Sequence, residues 1–514
     1  MLASMGDVYP NSMHIAWSSV YSSRRGLAAL YILVKGQCEG LNGGCARVQF
    51  PRLLFYKSKI WGTIWIKKNI LTTMDFHYYK IEDCEVFIGN DSVFLLEPET
   101  GSTLLLSKTA WQNILQNKES KNHLTELLHA QSGKLCIRKN SFLPQFFMID
   151  LTTTCSNRCT YCFRNLQHPR IIDNRILNDI LNSIINYCKE YNIKTITLQV
   201  WGGEPLSTWD KICLIQDKIE DAGIKVRLLV ETNGVLVTPQ IAANMYHRGI
   251  LCSISIDGPQ DIHDYCRKLH SGNGSYKNTI RGLNLLRDAG YGSQIGSVCV
   301  VTRNSIPHID RILDHFAYEL KFSRIKLNII KDSEQLQDKD LCIDDKDLAV
   351  LWETVLSHII RINQSGTPFV ESTILSMLHN LTTHRPTSFC YSRGCQAGQR
   401  MLSFDMEGNA FPCDQTDVKE LSLGNALLSP IDLLVKEGFK KLDSFFAMAI
   451  PDECRVCAWR SFCQGGCRTI RWFSNDIDRA TCIRNKTLYP QLVRLILEKP
   501  LLITAISGNE IKFE

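Results

Sequence analysis

The sequence predicts an α/β protein whose centre is an open, partial (βα)6 barrel of the TIM type, with a small α+β module before it and a cysteine-rich region after it. Six apolar, β-rich segments alternate with amphipathic helical stretches between residues 146 and 330. Polar or glycine-rich loops follow four successive strands. The chain also contains 21 cysteines, many of them in tight clusters. These observations together point to thiol chemistry at the mouth of a barrel.

Composition limits the classes of function. At 514 residues, 44% of them hydrophobic and 21% charged, the chain resembles an ordinary globular protein with several domains. The net charge of +6 is not concentrated in one basic block, so we expect no nucleic-acid binding. No apolar run approaches the roughly 20 residues that span a bilayer, so we expect no membrane association.

Cysteine usage indicates the compartment. The N-terminus lacks a charged start, an apolar core and a small-residue cleavage site, which predicts a cytoplasmic protein. In such a reducing compartment, clustered cysteines are typical of metal ligands rather than disulfides.

The N-terminal part has two predicted regions. Residues 1–45 are poorly patterned, and we expect them to be poorly ordered. Residues 46–140 predict a small α+β module, which could recognise a peptide by strand addition or serve only as a packing domain. Its predicted elements are strands at 85–88 and 92–96, joined by a turn at Asn90 and Asp91, and helices near 108–115 and 123–129.

The predicted barrel covers residues 141–335 and is followed by linker helices at 336–389. Alternating strands and helices imply a parallel sheet, which six units close into a partial barrel. Chemistry in such barrels lies at the carboxyl ends of the strands. The predicted strands are "FFMIDL", "TITLQV", "VRLLVE", "LCSISI", "IGSVCVV" and "RIKLNII", and the first four are followed by "TTTCSNRCTYC", "WGGEP", "ETNG" and "SIDGP".

The loop after the first strand holds Cys155, Cys159 and Cys162, at spacings of four and three, with no fourth cysteine nearby. Structural zinc and iron–sulfur sites normally have four protein ligands. Three thiolates on a cubane [4Fe–4S] cluster leave one iron open to another ligand. The alternative is a zinc site completed by a distant His or Cys.

With Tyr161, this loop resembles the C-x3-C-x-aromatic-C signature of the radical S-adenosylmethionine (SAM) superfamily. The resemblance implies a [4Fe–4S] cluster whose open iron binds SAM through its amine and carboxylate. It also implies reductive cleavage of SAM to a 5′-deoxyadenosyl radical that abstracts a substrate hydrogen. The implied electron source is a low-potential partner such as flavodoxin or ferredoxin.

The second loop resembles the superfamily motif that holds the amino group of SAM. There, Gly202 and Gly203 let backbone approach closely, and Glu204 accepts from the ammonium. Tyr161 would lie near the adenine. A plainer alternative is that Glu204 only begins a helical turn.

Three further SAM contacts are implied by the loops after the third and fourth strands. Asn233, Ser255 and Arg267 are candidates for the ribose or the carboxylate, and the planar guanidinium of Arg267 suits a carboxylate. Asp257, in "SIDGP", is more typical of a turn than of catalysis.

Residues 390–485 contain a second cysteine constellation. Its spacing, Cys395-x12-Gly408-x4-Cys413 followed by "CRVCAWRSFCQGGC" and Cys482, resembles the seven-cysteine SPASM domain of peptide-modifying radical SAM enzymes. With Cys390 there are eight thiols, enough for two fully ligated auxiliary [4Fe–4S] clusters that move electrons. The alternative is that Cys390 is not a ligand and that the first auxiliary cluster has an open iron. Two zinc sites are a further alternative. The family pattern implies that Cys390, Cys395, Cys413 and Cys467 hold the first auxiliary cluster, and that Cys454, Cys457, Cys463 and Cys482 hold the second.

Asp414 follows Cys413 in "FPCDQT". This position and the later "SLGNAL" resemble the anaerobic sulfatase-maturating branch, in which the matching Asp is thought to deprotonate the substrate. Asp414 is therefore the candidate catalytic base, with a turn cap as the alternative.

The sequence leads to the hypothesis of a SPASM-type radical SAM maturase that oxidatively modifies a peptide or protein. Thioether or carbon–carbon cross-links of a precursor peptide are the main product class. The first alternative is a sulfatase maturase that makes formylglycine from Cys or Ser. The second is a non-catalytic protein that binds zinc or structural clusters. Residues 486–514 are predicted to be a C-terminal helix and tail.

Overall fold

The structure, a computed structural model, describes residues 77–81, 84–116, 128, 143–164, 168–330, 336, 338–383, 388–390, 394–416 and 418–507. The segment 1–45 lies outside these residues. So does the predicted helix near 123–129, except for Leu128.

The described strands form two sheets. Strands β1 to β4 make an antiparallel sheet in chain order, and the other ten strands make one mixed sheet. The strands are β1 (His77–Ile81), β2 (Cys84–Ile88), β3 (Ser92–Glu97), β4 (Ser102–Ser107), β5 (Phe146–Thr152), β6 (Thr195–Gly202), β7 (Lys225–Thr232), β8 (Leu251–Ser255), β9 (Gly296–Val301), β10 (Arg324–Ile329), β11 (Val370–Glu371), β12 (Met401–Phe404), β13 (Asn409–Phe411) and β14 (Gly424–Asn425).

Helices flank these strands along the described chain. None of them combines the length and the apolar character that crossing a membrane requires. The helices are α1 (Lys108–Gln116), α2 (Asn174–Glu190), α3 (Trp209–Asp221), α4 (Pro239–His247), α5 (Gln260–Cys266), α6 (Tyr276–Leu286), α7 (Ile309–Asp314), α8 (Asp345–Gln364), α9 (Ser372–Thr382), α10 (Ile431–Lys441), α11 (Asp443–Phe446), α12 (Asp452–Arg455), α13 (Arg460–Cys463), α14 (Arg468–Ser474), α15 (Arg479–Glu498) and α16 (Pro500–Ser507).

Strands β5 to β10 are neighbours in chain order and all pair in parallel. They coincide with the six predicted strands, which confirms the α/β class and the partial barrel. The connecting helices cover the outer face, as α2 shows. Its buried residues follow helical spacing and pack into the main core: Leu177, Ile180, Leu181, Ile184, Ile185, Tyr187 and Cys188.

The cysteine-rich region extends the barrel sheet. Strand β12 pairs in parallel with β5, with Met401 opposite Phe146, and β13 and β14 follow as antiparallel strands. Residues within the predicted C-terminal domain therefore continue the same sheet that carries the first cysteine loop.

The antiparallel sheet packs against the C-terminal cysteine-rich region. Phe87 of β2 stacks on Trp459 at 5.9 Å between ring centroids, and Trp459 stacks on Tyr489 of α15 at 4.9 Å. At its far strand, Thr103 Oγ1 donates to Leu381 O at 2.8 Å. Strands β2 and β3 match the predicted pair at 85–88 and 92–96, and α1 matches the predicted helix near 108–115.

Candidate active site

The cysteine loop begins where β5 ends. Its three thiols act electrostatically on one another, and burial raises the pKa of Cys155 to about 11 and that of Cys159 to about 12. Buried thiols of this kind ionise readily only beside a metal or another strong positive charge. Three thiols on one loop suit a cubane cluster with an open iron.

The glycines after β6 bring a second strand end against this loop. Gly203 N donates to Thr152 O at 2.7 Å, and Glu204 N donates to Thr154 O at 2.8 Å. A Cβ on Gly203 would lie 2.4 Å from Thr154 O, and one on Gly202 would lie 2.4 Å from Thr152 O. The glycine pair thus permits close approach to the backbone of the cysteine loop itself.

Glu204 links the second loop to the third. Its carboxylate accepts from Thr232 Oγ1 at 2.6 Å, from Asn233 N at 2.8 Å and from Leu206 N at 3.2 Å. The residue is 1% exposed, and burial raises its pKa against these hydrogen bonds. Because a carboxylate has about four acceptor positions, one is left for a ligand donor. Glu204 also begins the helical turn Pro205–Thr208, so the alternative role predicted from the sequence, the start of a helical turn, describes part of what it does.

Asn233 lies beside the cysteine loop. Its Nδ2 is 3.6 Å from Cys155 Sγ, and it contacts Ser156 Oγ at 3.0 Å. Ser255 is buried at the last position of β8. The structure therefore brings Asn233 to the cysteine loop and places Ser255 at the same edge of the barrel.

A segment after the fourth strand forms the other wall of the cysteine loop. Arg158 N donates to Lys268 O at 2.6 Å, and Thr160 N donates to Cys266 O at 3.0 Å. His270 Nε2 contacts Cys155 O at 2.9 Å. Sequence reasoning missed this wall, because backbone pairing between distant segments leaves no residue pattern.

Asp257 lies at the centre of a buried polar network. It is 3% exposed, and its Oδ2 accepts from Tyr161 Oη at 2.5 Å and from Arg267 Nε at 2.9 Å. Arg267 is 7% exposed, and its guanidinium carbon lies 5.5 Å from the centre of the Tyr161 ring. The sequence indicated only a turn at Asp257, so its contact with two predicted SAM residues is new.

Glu231 points into the barrel interior. The alternate β7 residues Val226, Leu228 and Val230 join the core against the helices, so Glu231 faces the opposite side. Burial raises its pKa, Lys326 and Arg267 oppose this rise, and Asp414 adds to it. Sequence reasoning missed Glu231; the available signal was a carboxylate in a buried parallel strand.

The interior also reaches the first predicted auxiliary group. Cys413 packs with Met148 of β5 and is acted on by Asp414, Cys395 and Cys467. Cys390 is exposed and is acted on by Cys395, Asp414 and Cys467. The structure thus brings together the four cysteines that the family pattern assigns to one cluster, with Asp414 beside them.

Residues of the second predicted auxiliary group line a small cavity. The lining includes Trp459, Arg460 and Lys486, together with all four cysteines: Cys454, Cys457, Cys463 and Cys482. Burial raises the pKa of Cys454 to about 11, and the other three thiols add to the rise. This donor set suits a second fully ligated cluster.

Within the described residues, no group of three or more His, Cys, Asp or Glu side chains meets the geometry of a single-metal site.

Comparisons with known proteins agree with this geometry. Residues 149–314 match the family model of the radical SAM superfamily. The chain is 25% identical over 346 residues to the cysteine-type anaerobic sulfatase-maturating enzyme of Clostridium perfringens, covering 63% of this chain and 88% of that protein. It is 27% identical over 280 residues to a radical SAM cyclopropyl synthase of Paramaledivibacter caminithermalis, covering 51% of this chain and 56% of that protein.

Structural comparison gives the same fold. A solved structure of native anSMEcpe with bound AdoMet and the Cp18Cys peptide aligns with a TM-score of 0.59 at 21% identity, covering 68% of this chain and 99% of that chain. The matched domain implies a [4Fe–4S] cluster and SAM as cofactors, and it favours an enzyme over the non-catalytic alternative. The chain is therefore an enzyme with a radical SAM domain at residues 149–314, and it is similar to maturating enzymes.

Proposed function

We propose that this enzyme is a SPASM-type maturase that oxidatively modifies a side chain or backbone carbon in a peptide or protein. One observation carries the proposal. The Cys413 group packs against Met148 in the barrel interior, the strand β5 leads from Met148 into the cysteine loop, and Glu231 in this interior interacts electrostatically with Arg267 and Asp414. A substrate in this interior would lie between the place where a radical starts and the place where an electron leaves.

In this proposal Cys155, Cys159 and Cys162 hold the initiating cluster, and Glu204 and Arg267 orient SAM. When bound, SAM and the clusters supply the hydrogen-abstracting 5′-deoxyadenosyl radical and the acceptor for the remaining electron. The two cysteine groups of the C-terminal region hold the auxiliary clusters. A low-potential donor such as flavodoxin or ferredoxin supplies the reducing electron.

Asp414 is the proposed general base. An oxidised product requires the substrate to lose a hydrogen atom, a proton and an electron, so a proton acceptor is needed. Asp414 directly follows Cys413 and shares the interior with Glu231 and Lys326. The proton from the substrate would pass to its carboxylate, which is in contact with the Gln415 amide.

Two product classes follow from this site. Cross-linking of a precursor peptide, by a thioether or carbon–carbon bond, is the first. The antiparallel sheet of β1 to β4 supports it as a candidate peptide-recognition module. Formylglycine formation from Cys or Ser is the second, favoured by Asp414 and by the similarity to a sulfatase-maturating enzyme.

Mass spectrometry separates the two classes. The holoenzyme is incubated anaerobically with SAM, dithionite and either a sulfatase-type peptide containing Cys or Ser, or the short peptides encoded beside the gene. A cross-linking maturase removes two hydrogens from a neighbouring peptide and produces no aldehyde. A sulfatase maturase produces an aldehyde that hydrazide reagents capture. Absence of modification in both sets, despite cleavage of SAM, would contradict the proposal.

A further inference from the structure

Asp257 joins three parts of the barrel mouth. Its Oδ2 accepts from Tyr161 Oη at 2.5 Å and from Arg267 Nε at 2.9 Å, and its Oδ1 accepts from Val300 N at 2.9 Å. Tyr161 belongs to the cysteine loop, Arg267 to the opposite wall, and Val300 to β9. Since a buried charge is stable only when it is paired and hydrogen-bonded, this network fixes the position of Arg267.

The paired charges lie beside a predicted cluster ligand. Tyr161 directly precedes the predicted ligand Cys162; its ring centre lies 5.5 Å from the guanidinium carbon of Arg267, and its hydroxyl donates to Asp257 Oδ2 at 2.5 Å. The two side chains therefore place opposite charges beside the same loop of cluster ligands.

The neighbouring polar groups are neutral. Asp257 N donates to His263 Nδ1 at 3.3 Å, so this nitrogen carries no proton, and burial lowers the pKa of His263 to about 3. His263 Nε2 then donates to Ser275 Oγ at 3.0 Å, and Ser275 Oγ donates to Arg267 O at 2.9 Å. Asp257 and Arg267 are thus the charged members of this network.

We propose that Asp257 is a positioning residue that holds Arg267 against the cysteine loop and balances its charge there, which keeps the reduction potential of the bound cluster low. The inference rests on the proposed assignment of Cys155, Cys159 and Cys162 as cluster ligands. Reduction adds a negative charge to the cluster, so an unbalanced arginine nearby stabilises the reduced form. A cluster whose reduced form is stabilised in this way is a weaker reductant for SAM.

The test is a charge-balance cycle on the holoenzyme without SAM. Wild type, D257N, R267Q and the double variant D257N/R267Q are titrated with dithionite. The titration is followed by the electron paramagnetic resonance signal that the C155A/C159A/C162A variant lacks. We expect D257N to raise the reduction potential of the cluster by about 59 mV, which for one electron is a tenfold change in the reduction equilibrium. R267Q should shift it negatively, and the double variant should return close to wild type.

Asp261→Asn is the matched control. Asp261 lies four residues along the chain in an exposed ion pair with Arg311, and its loss removes the same charge from the surface. The potential should be unchanged, because solvent screens that site.

The outcomes are distinguishable. A wild-type protein without a cluster on the cysteine loop contradicts the proposed function. A loaded D257N with an unshifted potential, or a double variant that does not return, overturns the role of Asp257. If D257N fails to retain iron, the cluster potentials of R267K and R267Q are compared instead, which tests whether the charge at position 267 sets the potential. The retained charge of Lys should keep the potential near wild type while Gln lowers it, and equal potentials in the two variants would overturn the inference.

Discussion

The two cysteine-rich regions are assembled in different ways. The barrel-mouth loop carries three thiols within eight residues, from Cys155 to Cys162, and backbone hydrogen bonds hold it on two sides. The C-terminal groups collect eight thiols within the 93 residues from Cys390 to Cys482. An open cluster site needs its shape before the ligand arrives, whereas a closed site can be shaped by the metal.

The supports of the first loop come from two later segments of the chain. Gly203 and Glu204 pair with its first residues, and Cys266 and Lys268 pair with its middle. In contrast, the cavity of the second auxiliary group is lined by its own four cysteines and a few neighbours, and is backed by the stacked ring of Trp459. The comparison indicates that the protein preorganises the reactive site and lets the auxiliary clusters organise the C-terminal region.

Removing the three thiols of the barrel loop should have the largest effect. Cys155, Cys159 and Cys162 changed together to Ala should abolish release of 5′-deoxyadenosine, because no cluster remains to reduce SAM. Iron should fall from about twelve to about eight per chain. Cys213→Ala, on α3 outside all three groups, is the control and should retain both. Retained SAM cleavage in the triple variant would refute the assignment.

Asp414→Asn should slow product formation without preventing SAM cleavage. Product formation should fall by about 10²–10⁴-fold, the usual range for loss of a general base, while SAM is still cleaved. Liquid chromatography of 5′-deoxyadenosine and product from one reaction measures both. Asp443→Asn, at an exposed helix start, should leave both rates unchanged. Equal loss of the two reactions would instead show that Asp414 supports the fold.

Removal of iron should affect the two regions unequally. After chelation, amide hydrogen exchange should rise by about tenfold or more across 390–482, since cluster bonds there join distant segments. Strands β5 to β8 should keep their protection, because their hydrogen bonds and apolar core need no metal. An equal rise of amide hydrogen exchange in both regions would contradict the idea that only the C-terminal region depends on its clusters for order. The metal-replete protein at the same temperature is the reference.

Gly203→Ala should have a smaller effect that is confined to the barrel loop. The added Cβ would lie 2.4 Å from Thr154 O, so the loop must shift, at a cost of about 1–3 kcal/mol in unfolding free energy. Iron at the first site should decline while the auxiliary iron is kept. Gly296→Ala is the matched control, because the Cβ added there would contact only Ser253, at 3.7 Å. Denaturant unfolding and iron analysis of both variants check this, and equal stability would contradict the close approach.

The sequence predicted what depends on local pattern. All six barrel strands appear where periodicity predicted them, with helices between them, because buried parallel strands and amphipathic helices carry their signal in consecutive residues. The grouping of the C-terminal thiols came from the SPASM resemblance; the electrostatic interactions around Cys413 and Cys454 agree with that grouping, and the ligand sets stay a prediction.

The parts that the sequence did not predict depend on tertiary pairing. Asp257 appeared to be a turn residue because its partners Tyr161 and Arg267 approach it only in the folded barrel. Glu231 became a candidate only when its strand face and its neighbour Asp414 were known. The continuation of the barrel sheet into β12 likewise follows from pairing across about 250 residues of chain.

Electron paramagnetic resonance of the dithionite-reduced holoenzyme, with and without SAM, tests most directly that the loop of Cys155, Cys159 and Cys162 holds a cluster with one open iron. The account predicts that SAM alters one cluster signal, that the triple Ala variant lacks this signal, and that the auxiliary signals stay the same. No response to SAM, or a response that survives in the triple Ala variant, would contradict the account.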